Sequence, residues 1–325
     1  MAFAVVAFLI MSVSIGELQT GRMYPGRARR AYQSSHAANG HTSYKILKST
    51  LKHCLHAFGD SPLVHPMVNV ASVKRVLSRL PGARALYGNS EWDRKHPFDR
   101  AYGTDTSGFL CGEELLTGHP AEAHGSPYAG AQPSVMRTVF ATLPHNERST
   151  FIDLGCGKGR PMLVASEFSF RDIVGVELSP PLVEAARRNA AVMAKRFPHR
   201  TPIRVDEGDA TTYPMPAGDV VLFIYNSFDH ELMQKVADGV EVALKFDGQR
   251  SIYVVYCNPV SGDCFDESPL LTRRFAQTLR YAAEEQGFAP DTRDAVIVWQ
   301  GGNAPRPDDA KIVIVRERWR AELSV

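Results

Sequence analysis

Between Phe151 and Arg160 the chain reads FIDLGCGKGR, an apolar run that meets Asp153 and then glycines at every second position, Gly155, Gly157 and Gly159. Glycines at that spacing permit a tight turn and let a ligand approach the backbone, and the N–H groups of a following helix point into the same space. Glu177 closes a second apolar run, IVGVE, about 20 residues further on, where a carboxylate can accept from both hydroxyls of a ribose. Gly208-Asp209-Ala210 follows a third run, and the Asp209 carboxylate can accept from an adenine amino group. Nicotinamide-binding turns use similar logic. Two residues argue against that reading. The dinucleotide fingerprint wants a glycine at position 160, where this chain has Arg160. Asp153, just before the turn, would repel a pyrophosphate but suits an ammonium group.

A fourth run, DVVLFIY, ends in Tyr225-Asn226-Ser227-Phe228. Asn226 can accept a hydrogen bond through its side-chain oxygen, and Phe228 can flank a bound group. Asp229-His230-Glu231 suits a helix start, where acids are favourable. Cys156, inside the glycine turn, is expected to pack rather than react. His53 and His56 lie one helical turn apart without a nearby third ligand and read as a solvated helix face, so no metal site is expected.

These residues need a scaffold. Strands are expected at 149–154, 172–177, 203–206, 219–225, 251–257, 295–300 and 311–316. Helices are expected from the glycine turn to about 168, then at 181–196, 230–244 and 270–285. Strand and helix alternate, and the fourth run is apolar throughout, as a central parallel strand buried on both faces should be. The fold class is therefore α/β, a doubly wound and mostly parallel seven-stranded sheet. In such a sheet ligands bind outside the carboxyl ends of the strands, where the strand order reverses. Upstream, helical periodicity is expected over 44–58 and 68–80, while 17–44 reads as a linker and 82–130 as irregular.

Composition narrows the function. The chain has 325 residues, 44% hydrophobic and 22% charged, as in an ordinary globular protein. Lys and Arg number 37 against 35 Asp and Glu, so the net charge of +2 gives no strong nucleic-acid signal. The positive charges of Lys45, Lys48 and Lys52 read as a solvated helix face. Five cysteines without a Cys-x-x-Cys pair fit reduced thiols and a cytoplasmic location. The apolar start MAFAVVAFLIMSVSIG lacks a basic leader and falls short of the roughly 20 residues a spanning helix needs. It is read as a docked or unstructured extension, with weak membrane association through residues 1–16 as the other reading.

The runs FIDLGCGKGR, IVGVELSP, EGDATTY and DVVLFIYNSF resemble the successive motifs of class I S-adenosylmethionine-dependent methyltransferases. With YGTDTSG at 102–108, the set is similar to a little-characterised bacterial group of these enzymes, over roughly residues 97 to 300. The residue patterns divide the chain into an apolar segment and linker over 1–43, a helical and irregular region over 44–130 and an α/β region over 131–325, of which the resemblance makes the second part of a cofactor lid and the third a methyltransferase domain. It implies that S-adenosylmethionine is the cofactor. Asp153, Gly155, Cys156 and Gly157 would then hold the methionine part, Glu177 and Leu178 the ribose, and Asp209 and Ala210 the adenine. The 102–108 loop would fold over the cofactor, with Tyr102 beside it and Thr104 and Thr106 available to its carboxylate. Tyr225, Asn226 and Phe228 stand where the family places its methyl-transfer motif, with Ser227 where proline is usual. The expected acceptor is a nitrogen, on a protein lysine or a small-molecule amine. A domain that binds S-adenosylmethionine without turnover and a nicotinamide oxidoreductase are the alternatives.

Overall fold

The computed structural model describes residues 94–110, 115, 119, 126–144, 146–289 and 291–304. The helices expected over 44–58 and 68–80, the apolar start, His53 and His56, and the strand expected over 311–316 lie outside these residues.

The sheet is built where apolar runs are longest. Strands β3 (Ser149–Leu154), β4 (Asp172–Glu177), β5 (Ile203–Glu207), β6 (Asp219–Tyr225) and β7 (Ser251–Cys257) are parallel. Two further strands, β8 (Leu271–Arg280) and β9 (Arg293–Gly302), complete the order β5-β4-β3-β6-β7-β9-β8, with β9 antiparallel to both neighbours. The chain reverses direction of build between β3 and β6. Their carboxyl ends therefore diverge into a crevice, the position where doubly wound sheets take ligands.

Alternation along the strands sends side chains to two cores. Phe151, Phe223 and Val255 pack on one face under helices α2 (Pro133–Phe140), α3 (Arg160–Ala165) and α4 (Pro180–Arg196). Ile152, Leu222 and Val254 pack on the other under α5 (His230–Phe246) and the short α6 (Asp263–Asp266). Each such fully buried side chain contributes about 1.5–3 kcal/mol relative to exposure. Ahead of the sheet lie α1 (Pro97–Tyr102) and a two-stranded ribbon, β1 (Phe109–Leu110) with β2 (Tyr128–Ala129). No helix among the described residues is long and apolar enough to cross a membrane.

One expected element changes type. The helix expected over 270–285 is instead strand β8 over Leu271–Arg280, the seventh strand of the described sheet. Leu271, Phe275 and Leu279 recur at a helical spacing, which is the pattern that misleads. A bulge between Arg273 and Phe275 explains it. The extra residue switches strand parity, so Leu271 packs with the α5 core while Phe275 and Leu279 pack with the opposite one. Pairing with β9 then overrides the local helical preference.

His96 precedes α1 and is nearly fully buried. Its Nδ1 accepts from Phe98 N at 3.1 Å, capping the helix, and its Nε2 meets Gln132 Oε1 at 3.0 Å, which fixes a neutral ring protonated on Nε2. Burial, aided by the Arg160 charge, pushes its pKa down to about 4. Unfolding frees the ring to protonate, so His96 costs stability as pH falls from 6.5 towards 4, by about 2 kcal/mol. His96→Asn keeps a cap, and the variant should lose less stability than the parent between pH 7 and pH 4.5 in urea titrations. Parallel pH profiles would sink this assignment.

Candidate functional site

The glycine turn between β3 and α3 is shaped by what stands against it. Gly157 has φ of 55°, and a Cβ there would fall 2.4 Å from the Tyr128 ring. Gly155 has φ of 73°, and its Cβ would fall 2.9 Å from the Ser227 side chain. Only glycine meets both demands, left-handed backbone and close approach. The turn is thus clamped between β2 and the loop after β6.

A cavity opens at the carboxyl ends of β3, β4 and β6, lined by Asp153, Gly155, Cys156, Gly157, Glu177, Leu178, Asp209, Ala210, Tyr225, Ser227 and Phe228 among others. Glu177 braces the turn, with Oε2 accepting from Gly157 N at 2.8 Å and Oε1 from Ser179 N at 2.9 Å. Asp153 is 1% exposed, and its Oδ2 has no hydrogen-bond partner. Burial, and then the neighbouring Glu177 carboxylate, raises the Asp153 pKa well above the usual range. Burial likewise raises Glu177, against the pull of the backbone N–H groups of Ser179, Gly157 and Leu178. Two buried carboxylates beside one cavity lack a counter-charge. A ligand bearing an ammonium and a sulfonium fits that deficit, and a pyrophosphate does not.

Residues 151–248 match the family described as a methyltransferase domain. The matched segment runs from β3 through α5 and holds the glycine turn, Glu177 and Asp209. No curated protein matches the chain. Solved structures with a similar fold include an RNA methyltransferase from Salinibacter ruber in complex with S-adenosyl-L-homocysteine, 18% identical over 55% of this chain and 98% of that one, with a TM-score of 0.35. An O-methyltransferase from Bacillus cereus, also with S-adenosylhomocysteine, is 12% identical over 53% of this chain and 82% of that one, with a TM-score of 0.40. A geranyl diphosphate methyltransferase in complex with GPP and sinefungin is 15% identical over 53% of this chain and 77% of that one, with a TM-score of 0.38.

Most residues expected in the methyltransferase cofactor site from sequence come together on this cavity. Asp209 lines it while its Oδ1 accepts from Thr211 N and Oγ1 at 2.9 and 2.8 Å, so the carboxylate also shapes its own turn. Cys156 is buried, and burial pushes its thiol pKa well up, which leaves it a packing group. Asn226 takes left-handed backbone (φ 44°), and its buried Oδ1 has no partner, but it is not among the residues lining the cavity. His230, which starts α5, is exposed and lies 3.3 Å from the Asp263 carboxylate.

The 102–108 loop is placed differently from expectation. Neither Tyr102, Thr104 nor Thr106 lines the cavity. Both threonine hydroxyls donate to Asp99 Oδ1 at 2.7 Å, and Ser107 donates to Asp99 Oδ2, so they are taken up inside the protein. Tyr102 donates to Glu167 Oε1 at 3.1 Å and packs on Phe98. The loop grips the turn from behind. Lys158 Nζ donates to Ser107 O at 2.7 Å, and Arg160 donates to Thr106 Oγ1 and Thr106 O at 2.7 and 2.8 Å. Tyr128, whose ring covers Gly157, donates to Thr106 O at 2.8 Å. Sequence reasoning missed Tyr128, and it read Arg160 only as a missing glycine.

Proposed function

We propose that this protein transfers the methyl group of S-adenosylmethionine to a nitrogen, on a protein lysine or a small-molecule amine. The carrying observation is the charge of the cavity. Asp153 and Glu177 supply buried negative charge, and the one cationic residue among its described lining, Arg160, already donates to Thr106, Gly130 and Ala131. An anionic acceptor would meet no free cation there, whereas an amine meets the neutral oxygens of Tyr225 and Ser227.

In this reading Asp153 holds the ammonium of the cofactor, Glu177 the ribose hydroxyls and Asp209 the adenine amino group. When bound, the cofactor supplies an electrophilic methyl on a sulfonium. Tyr225, Ser227 and Phe228 form the acceptor side, and aligning the amine lone pair with the methyl is the main task, since positioning alone can remove much of the barrier. The motif set with its YGTDTSG loop supports a place in the little-characterised bacterial group.

Calorimetric titration tests the reading. Binding of S-adenosylmethionine should release protons, because a cationic ligand lowers carboxylate pKa values that burial has raised. Affinity should therefore rise with pH through those raised values. Titrations in buffers of different ionisation enthalpy measure the release. Binding of NAD in preference to S-adenosylmethionine would defeat the proposal.

A further inference from the structure

At the carboxyl edge of the sheet, beside the cavity, lies a buried polar cluster that the cofactor does not need. Asp294, near the start of β9, is 1% exposed. Its Oδ1 accepts from Tyr281 Oη at 2.7 Å, from Asn258 Nδ2 at 2.8 Å and, over a longer 3.4 Å, from Tyr225 Oη. Its Oδ2 has no partner. Asn258 follows β7 as Asn226 follows β6, and both take left-handed backbone, with φ of 51° and 44°. Strained residues of this kind gather at functional sites. Of the cluster, Tyr225 is the member that reaches the cavity lining.

We propose that Asp294 is a positioning residue that takes the Tyr225 hydroxyl hydrogen, so that the Tyr225 oxygen faces the methyl acceptor as a hydrogen-bond acceptor and selects an N–H-bearing substrate. A phenol has one hydrogen, and giving it to a carboxylate leaves only lone pairs for a second partner. Burial raises Asp294 to about 6, so it remains a carboxylate at neutral pH and keeps the polarity of the bond fixed. Burial holds Tyr225 well above its usual value, so it stays a neutral phenol. A neutral amine would donate one N–H to Tyr225 with its lone pair turned to the methyl. The N–C bond then forms as the C–S bond breaks, its electron pair stays on sulfur, and the extra proton leaves on the product ammonium. The inference rests on the S-adenosylmethionine site proposed above and names the acceptor class that its edge selects.

Sinefungin tests this without knowledge of the acceptor. It carries an amino group in place of the methyl of S-adenosylmethionine, whereas S-adenosylhomocysteine carries nothing there. The wild type should bind sinefungin at least tenfold more tightly than S-adenosylhomocysteine. In Asp294→Asn the bond loses the carboxylate charge that holds the Tyr225 hydrogen, so the preference should collapse while S-adenosylhomocysteine affinity stays within about twofold. Tyr225→Phe should lose the preference equally, and the double variant should lose no more than either single one. If Asp294→Asn does not fold, Tyr225→Phe carries the comparison alone. A sinefungin preference that survives in Asp294→Asn or Tyr225→Phe overturns the inference and leaves the cofactor site standing. Failure of the wild type to bind S-adenosylhomocysteine overturns both.

Discussion

Glu177→Ala should lower S-adenosylmethionine affinity at least 100-fold, about 2.7 kcal/mol, while leaving the ligand-free protein folded. The carboxylate is 8% exposed and already satisfies Gly157 N and Ser179 N, so it arrives at the ligand with its geometry fixed. Pre-fixed acceptors hold two ribose hydroxyls without ordering cost, and alanine removes both oxygens at once. Stability responds differently. Alanine leaves two backbone N–H groups without their acceptor, which costs stability, but it also removes a buried charge that repels Asp153. These terms oppose, so the thermal midpoint of the unliganded variant should stay within about 5 °C of the parent. Calorimetry and a melting curve on the same sample check both halves. Retained affinity would exclude Glu177 from the site, and a collapsed midpoint would make it a structural residue instead.

What could be seen in the sequence follows from how far each residue's partners lie along the chain. Strands β3, β4, β6 and β7 begin and end where their apolar runs do, because a central parallel strand must be apolar on both faces. The glycine turn, Glu177 and Asp209 are local patterns at strand ends, and the topology brings them to one cavity. Strand β8 could not be seen, because the bulge that reverses its parity exists only in its pairing with β9. Nor could the clasp on the 102–108 loop. Arg160 and Thr106 are 54 positions apart, and nothing near either one marks the other as a partner. Asp294 is similar, since its partners Tyr225 and Asn258 lie 69 and 36 positions away. The threonines of the loop look available in sequence because their acceptor, Asp99, sits inside an ordinary helical segment. Local motifs thus announced residues that line the cavity, while the groups that hold them in place came from the fold.

Arg160→Met should destabilise the domain by about 3–5 kcal/mol, the cost of breaking a buried pair from one side. The guanidinium is 3% exposed and makes hydrogen bonds to Thr106 Oγ1, Thr106 O, Gly130 O and Ala131 O, with Asp99 Oδ2 at 3.9 Å. Burial alone would raise the Asp99 pKa. Hydrogen bonds from Ser107, Thr104 and Thr106, together with the Arg160 charge, outweigh that and hold it below the usual range. Methionine fills the volume of the arginine stem yet leaves a buried carboxylate without its counter-charge and takes a donor from three carbonyls, of which Thr106 O keeps Tyr128 and Gly130 O keeps Gln132. For a domain of this size that loss should lower the melting midpoint by about 10 °C. Asp99→Asn in the same chain removes the stranded charge while keeping an acceptor for the loop hydroxyls, so the double variant should regain part of the loss. Tyr128 hangs its hydroxyl on Thr106 O, so loosening this loop should also release the ring that covers Gly157 and weaken S-adenosylmethionine binding by about tenfold, or 1.4 kcal/mol. Lysine at 160 should rescue little, because a single ammonium cannot reproduce the planar fork that reaches Thr106 and Gly130 together. A midpoint within about 2 °C of the parent in Arg160→Met would show that the loop is held by its other ties, Lys158 to Ser107 O and Asn189 to Asp105 O, rather than by the buried pair.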